Sequence, residues 1–242
     1  MICDKVSNAD MRELEQLSCK NVIVKTYAVD TDEYVKDAPS YRYCSKTMYL
    51  KMFIPSILGE LDKVLYLDSD VIVRKDLTEY FNQLNINESC DMAVIKDLGL
   101  IKIWRPTFKV YEVDDVFYSG QMLMNLKNLR GENGIERRFI NILNSGKNDI
   151  SYGDEQVFNI LEFNRVKYLD IKYCLSWHKI AMNSHPEVYA NIDVYNQVYG
   201  TEYRNMDELI DQSVIWHFHG DKKKIFDHLK VKPLIDGVNH EL

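Results

Sequence analysis

The segment Lys63-Val64-Leu65-Tyr66-Leu67-Asp68-Ser69-Asp70-Val71-Ile72-Val73 decides how this chain is organised. The continuous apolar run from Lys63 to Leu67 predicts a strand buried on both faces of a largely parallel sheet. Two carboxylates separated by one residue come directly after it, and Val71-Ile72-Val73 resumes strand character. A pair of acids closing a buried strand is costly unless something cationic satisfies it. On an extended backbone residues i and i+2 point the same way, so Asp68 and Asp70 can face one metal ion. Carboxylate oxygens suit Mg²⁺ or Mn²⁺, which in turn bind phosphate oxygens. The carboxyl end of a strand is also where open α/β sheets take ligands. By itself the D-x-D triplet fits a polar turn between two strands equally well.

Upstream of this segment, Ser7-Asn8-Ala9-Asp10 starts a helix leading into 11–17. The β-branched, alternating stretch 21–29 reads as a strand, and Ser45 caps a helix running through Tyr49, Met52 and Phe53. Downstream, Asp76-Leu77-Thr78-Glu79 opens a helix and 91–96 is a strand. Phe117–Asn125 is an apolar strand interrupted at Ser119-Gly120, and a helix over roughly 126–143 succeeds it. A helix over 154–163 and strands over 166–170 and 213–217 complete the pattern, while 173–205 has poor periodicity and reads as irregular. Strands alternating with helices indicate an α/β fold built on parallel strands.

The chain has 242 residues, 46% hydrophobic and 12% aromatic, which excludes disorder and allows a substantial core. With no linker-like stretch and no repeat, residues 1–242 read as a single domain. The net charge of −7 argues against nucleic acid as a partner, because such binding needs a basic footprint. No apolar run approaches the ~18 residues of a transmembrane segment, and the start does not read as a signal peptide. Five scattered cysteines without a CxxC pair form neither a disulfide framework nor a zinc site, and suit a reducing cytosol.

Three further constellations can carry chemistry. His217-Phe218-His219-Gly220-Asp221-Lys222-Lys223-Lys224 combines a metal-ligand type with a glycine and compact positive charge suited to phosphate. Tyr152-Gly153-Asp154-Glu155-Gln156 places two acids at a helix start, where the helix dipole favours them even without a function. Phe117-Tyr118-Ser119-Gly120 sets a small polar break into an apolar strand, where a ligand can approach.

In this order and spacing the four segments resemble the family 8 glycosyltransferases, retaining enzymes that include bacterial lipopolysaccharide galactosyl- and glucosyltransferases and glycogenin. The strand and D-x-D of 63–73 match the family almost residue for residue. FYSGQMLMNL, 117–126, looks like its F-N-[AS]-G-x-x-L-x-N-L, and YGDEQVFN, 152–159, is similar to its D-Q-D-x-L-N. His217, Gly220 and Lys223 fall on its H-x-x-G-x-x-K. The resemblance implies a GT-A fold, a Rossmann-like nucleotide-sugar-binding sheet flanked by helices, with UDP-glucose or UDP-galactose as donor and a glycan hydroxyl as acceptor. It implies that Asp68, Asp70 and His217 hold Mn²⁺ (or Mg²⁺), that Lys223 and Gly220 contact the diphosphate, and that Lys51, Ser69 and Ser119 help bind the donor. Asp154 and Glu155 then lie beside the donor sugar as the catalytic pair. It also implies a bacterial, cytoplasmic protein that meets a membrane only through its acceptor.

The chain departs from the family pattern at several positions. Lys51 stands where an Arg is common, Tyr118 replaces the Asn of F-N-[AS]-G, Glu155 replaces an amide, and Lys224-Ile225 replaces Pro-Trp. Its opening resembles the part of the family pattern downstream of the first two strands, so those strands are expected to be lacking. The sheet then has an open edge at Lys63–Leu67 unless 21–29 fills it. The alternative to an enzyme is a non-catalytic GT-A-like remnant that binds a sugar or a protein partner. A metal-dependent phosphohydrolase would need a nucleophile near Asp68, and none is placed so.

Overall fold

The computed structural model describes residues 1–40, 45–103, 115–145, 150 and 152–218. Its strands, in chain order, are β1 (Ile2–Asp4), β2 (Tyr27–Val29), β3 (Lys63–Leu67), β4 (Val71–Val73), β5 (Met92–Lys96), β6 (Phe117–Asn125), β7 (Val166–Tyr168) and β8 (Ile215–His217). The central sheet has the order β3-β6-β5-β7, and two-stranded ladders β1-β2 and β4-β8 accompany it.

Alternation along the central strands sends side chains into two cores. Met92, Val94, Met122 and Met124 face a cluster with Phe53, Phe139 and Phe158. Ala93, Ile95 and Leu123 face the opposite cluster with Tyr80, Leu175 and Trp216. This period of two is what a sheet covered on both sides requires.

The expected parallel sheet is corrected. β3 and β5 both run antiparallel to β6, and only β5 with β7 is parallel within the central sheet. An apolar run reports burial on both faces but carries nothing about the direction of its neighbour. The strand expected over 21–29 shortens to β2, which pairs in parallel with β1 rather than with β3. Among the described residues β3 therefore has β6 on one side and no strand on the other. A groove of about 640 Å³ lies along that open edge, lined by Ile2 and Tyr27 on one wall and Val64, Leu65 and Leu67 on the other.

The helix expected over 126–143 is two helices, Leu126–Leu129 and Ile135–Ser145. Between them Gly131 adopts φ +93°, which a continuous helix cannot accommodate. The stretch expected to be irregular holds helices Trp177–Ala181, Pro186–Tyr189 and Ile192–Tyr199. They form because Tyr189, Tyr195 and Val198 are buried in the core and Asn191 caps the third helix. Cys3, Cys19, Cys90 and Cys174 are free thiols, as expected, and Cys44 lies outside the described residues.

Candidate functional site

Two ladders bring the acidic triplet and His217 together. At the end of β3 the Asp68 N–H continues the pairing, donating to the Gly120 carbonyl of β6 at 2.8 Å. Beyond the bend at Ser69, β4 pairs antiparallel with β8 in a register that sets Val71 opposite His217. The Phe218 N–H closes that ladder on the Asp70 carbonyl at 2.8 Å. His217, at 1% exposure, then places Nε2 2.9 Å from Asp70 Oδ1 and 4.0 Å from Asp68 Oδ2. The ligand atoms of Asp68, Asp70 and His217 all lie within 4.8 Å of one another. Two carboxylate oxygens and one imidazole nitrogen in that space form a donor set that fits a divalent cation, with the nitrogen favouring Mn²⁺ over Mg²⁺.

A buried ion network lies on the other side of Asp68. Ser45 caps the short 3₁₀ helix Lys46–Phe53, and Lys51 of that helix directs its ammonium inward. Lys51 Nζ stands 3.1 Å from Asp68 Oδ1 and 2.7 Å from Asp154 Oδ2, and donates to the Ser119 carbonyl at 3.2 Å. Burial alone would lower the Lys51 pKa, but the Asp154 carboxylate, with Tyr66 and Asp68 adding to it, raises it well above the lysine range. The Tyr66 hydroxyl donates to Asp68 Oδ1 at 2.6 Å. Asp68 is thus held by a hydroxyl and an ammonium.

Asp154 and Glu155 occupy the first turn of the helix Gly153–Glu162. That helix is pinned to β6 by Asn159, whose Oδ1 accepts from the Phe117 N–H at 2.9 Å while its Nδ2 donates to the Phe117 carbonyl at 2.8 Å. The lock presents Asp154 to the Ser119 hydroxyl, which donates to Oδ2 at 2.9 Å. A cleft of about 640 Å³ opens here, lined among others by Lys51, Asp68, Asp97, Asp154, Glu155 and Lys179. Burial, then the neighbouring Asp97 and Asp154 carboxylates, raise the Glu155 pKa well above the ordinary range. Burial also raises that of Asp97. Lys179 is pushed down by burial, against the opposing pull of Asp97.

The structure therefore gathers Lys51, Asp68, Ser119, Asp154 and Glu155 around one cleft, with Asp70 and His217 joined to Asp68 at its edge. Ser69 and Asp70 line the groove beside β3, and Asp68 borders both cavities. Gly220 and Lys223 lie outside the described residues. Asp97 and Lys179 were not anticipated. Asp97 closes the buried strand β5 as Asp68 closes β3, so the same rule would have found it. Lys179 lies in the stretch that reads as irregular. The locking role of Asn159 had only its place in a motif as a signal.

Glycosyl transferase family 8 matches residues 1–224. A probable glycosyl transferase Gly from Streptococcus gordonii is 27% identical over 177 residues, covering 73% of this chain and 23% of that protein. The lipopolysaccharide 1,2-glucosyltransferase of Escherichia coli K12 is 25% identical over 181 residues, covering 72% of this chain and 51% of its own length. The chain thus spans about a quarter of the first relative and about half of the second. Among solved structures, an active-site mutant of LgtC superposes with TM-score 0.70 at 19% identity, over 93% of this chain and 81% of that one. The galactosyltransferase LgtC in complex with donor and acceptor sugar analogues gives 0.67 at 20% identity, over 89% and 73% of the two chains. These likenesses establish the GT-A fold.

Proposed function

Because this chain belongs to glycosyl transferase family 8, we propose that it is a metal-dependent, retaining hexosyltransferase using UDP-glucose or UDP-galactose. The observation that carries this reading is the ligand set of Asp68, Asp70 and His217, placed beside a cleft that Lys51 and Asp154 floor. A divalent cation held there would neutralise the charge that develops on the departing diphosphate. Lys51 pairs with Asp68 and Asp154 and holds both carboxylates in place. Asp154 and Glu155 meet the hydroxyls of the donor sugar, and Ser119 orients Asp154. The chain acts as one domain on a glycan acceptor in bacterial cell-surface biosynthesis, from the cytoplasmic side. No helix among the described residues is long and apolar enough to cross a membrane.

The test is a screen of UDP-sugars for UDP release with Mn²⁺ and with EDTA, read by mass spectrometry. Metal-dependent release from a UDP-hexose is expected. Metal-independent binding of UDP together with no turnover of any donor would overturn the reading in favour of a non-catalytic binder.

A further inference from the structure

Tyr118 and Gly120 are two apart on β6, in the stretch where its register with β5 shifts. The Tyr118 ring lies across the bare Cα of Gly120: a Cβ there would stand inside the ring, against Oη, Cζ and Cε1. From that position the hydroxyl reaches the buried imidazole of His217. It hydrogen-bonds Nδ1 and stands 3.1 Å from Nε2, with the two rings 4.9 Å apart and tilted by 53°. Asp70 holds the other side of the same imidazole at 2.9 Å.

We propose that Tyr118 is a positioning residue of the metal site, its hydroxyl fixing the His217 ring so that Nε2 faces Asp68 and Asp70. The inference rests on the divalent-cation reading above. When Nε2 gives its lone pair to a cation, Nδ1 must carry the proton and needs an acceptor. A phenol hydroxyl supplies that acceptor, and it can equally donate to Nδ1 when Nε2–H turns to Asp70. One side chain thus serves the ring in both of its neutral forms. Gly120 belongs to the same device, since only a residue without Cβ leaves room for the ring above it. In a Gly120→Ala chain the obstructed atoms are the far end of a rotatable side chain. Tyr118 therefore swings off His217 while the backbone of β6 stays in place.

The test is Mn²⁺ binding to the whole chain, monitored by electron paramagnetic resonance, with thermal unfolding as the control for folding. Tyr118→Phe is expected to unfold like the parent and to bind Mn²⁺ about 10- to 100-fold more weakly, the usual loss when a metal-bound histidine loses its outer partner. Gly120→Ala is expected to lose a similar factor, and the double variant no more than either single one. Pulsed measurements should show a coordinated imidazole nitrogen on Mn²⁺ in the parent, weakened or lost in Tyr118→Phe. A Tyr118→Phe chain with parental affinity and an undiminished nitrogen signal overturns the proposal alone, as does an additive double variant. A parent chain that takes up no Mn²⁺ overturns it together with the cation reading.

Discussion

Lys51 and Asp154 stand 2.7 Å apart with their side chains only 8% and 13% exposed, an ion pair formed between a 3₁₀ helix and the first turn of another helix. Removing one member of so buried a pair leaves the other charge stranded, at a cost of ~3–5 kcal/mol. Lys51→Met is therefore expected to lose about that much stability to urea in the absence of metal, and less with Mn²⁺ present, because Asp68 then regains a cation. Lys51→Arg should keep most of the stability, and equal losses in the two variants would show that packing rather than charge decides.

Asp70 is one of the three groups, with Asp68 and His217, that could hold a cation. Asp70→Asn is expected to weaken UDP binding in Mn²⁺ by ~2–4 kcal/mol, the scale of one charged ligand. In EDTA the same substitution should change little. Isothermal titration in the two buffers reads the difference, and equal parental affinity in both would remove the role assigned to the ion.

Burial, then the neighbouring Asp97 and Asp154 carboxylates, shift the Glu155 pKa upward, which favours its protonated, neutral form. A protonated acid and an amide have nearly the same shape and donor groups. Glu155→Gln is accordingly expected to retain activity within about threefold at neutral pH, consistent with a hydroxyl-binding role. A ~100-fold loss, or a glycosyl adduct trapped on Glu155, would instead assign it nucleophilic attack.

Glu162 and Asp91 are fully buried beside Arg138 and Arg165. Burial raises the Glu162 pKa from 4.5 to about 8, with Arg138 opposing the rise and Asp91 adding to it. The folded state therefore binds a proton at this site that the unfolded chain has released above pH 4.5. Its contribution is full below that value, declines as pH rises, and is gone above about pH 8. Urea unfolding at pH 5 and at pH 8.5 should show a fall in stability that shrinks in Glu162→Gln, and an unchanged fall would place the titration elsewhere.

Much of the site was legible because burial and charge conflict openly in the sequence. Acids at the end of an apolar run, as at Asp68 and Asp70, ask for a cationic partner or a polar turn, and the resemblance of 217–223 to the family's later motif added His217 as a candidate ligand. Strand direction was not legible, since Leu65 or Met122 would be equally buried beside a parallel or an antiparallel neighbour. The helices of 177–199 escaped because they are short, of five, four and eight residues. Tertiary burial of Tyr189 and Tyr195, rather than propensity, stabilises them. The contact of Tyr118 with His217 joins residues far apart in sequence, and no local pattern encodes it.

The open flank of β3 gives the site an unusual mechanical footing. Backbone groups on alternate residues of this strand point away from β6 and lie outside any ladder among the described residues. Their amide protons should exchange with solvent through local fluctuation rather than global unfolding. Asp68 is the next residue along the chain, so the compliance of its carboxylate is inherited from a ribbon braced on one side. An extended segment laid into the groove would stiffen that ribbon at the point where it hands over to Asp68.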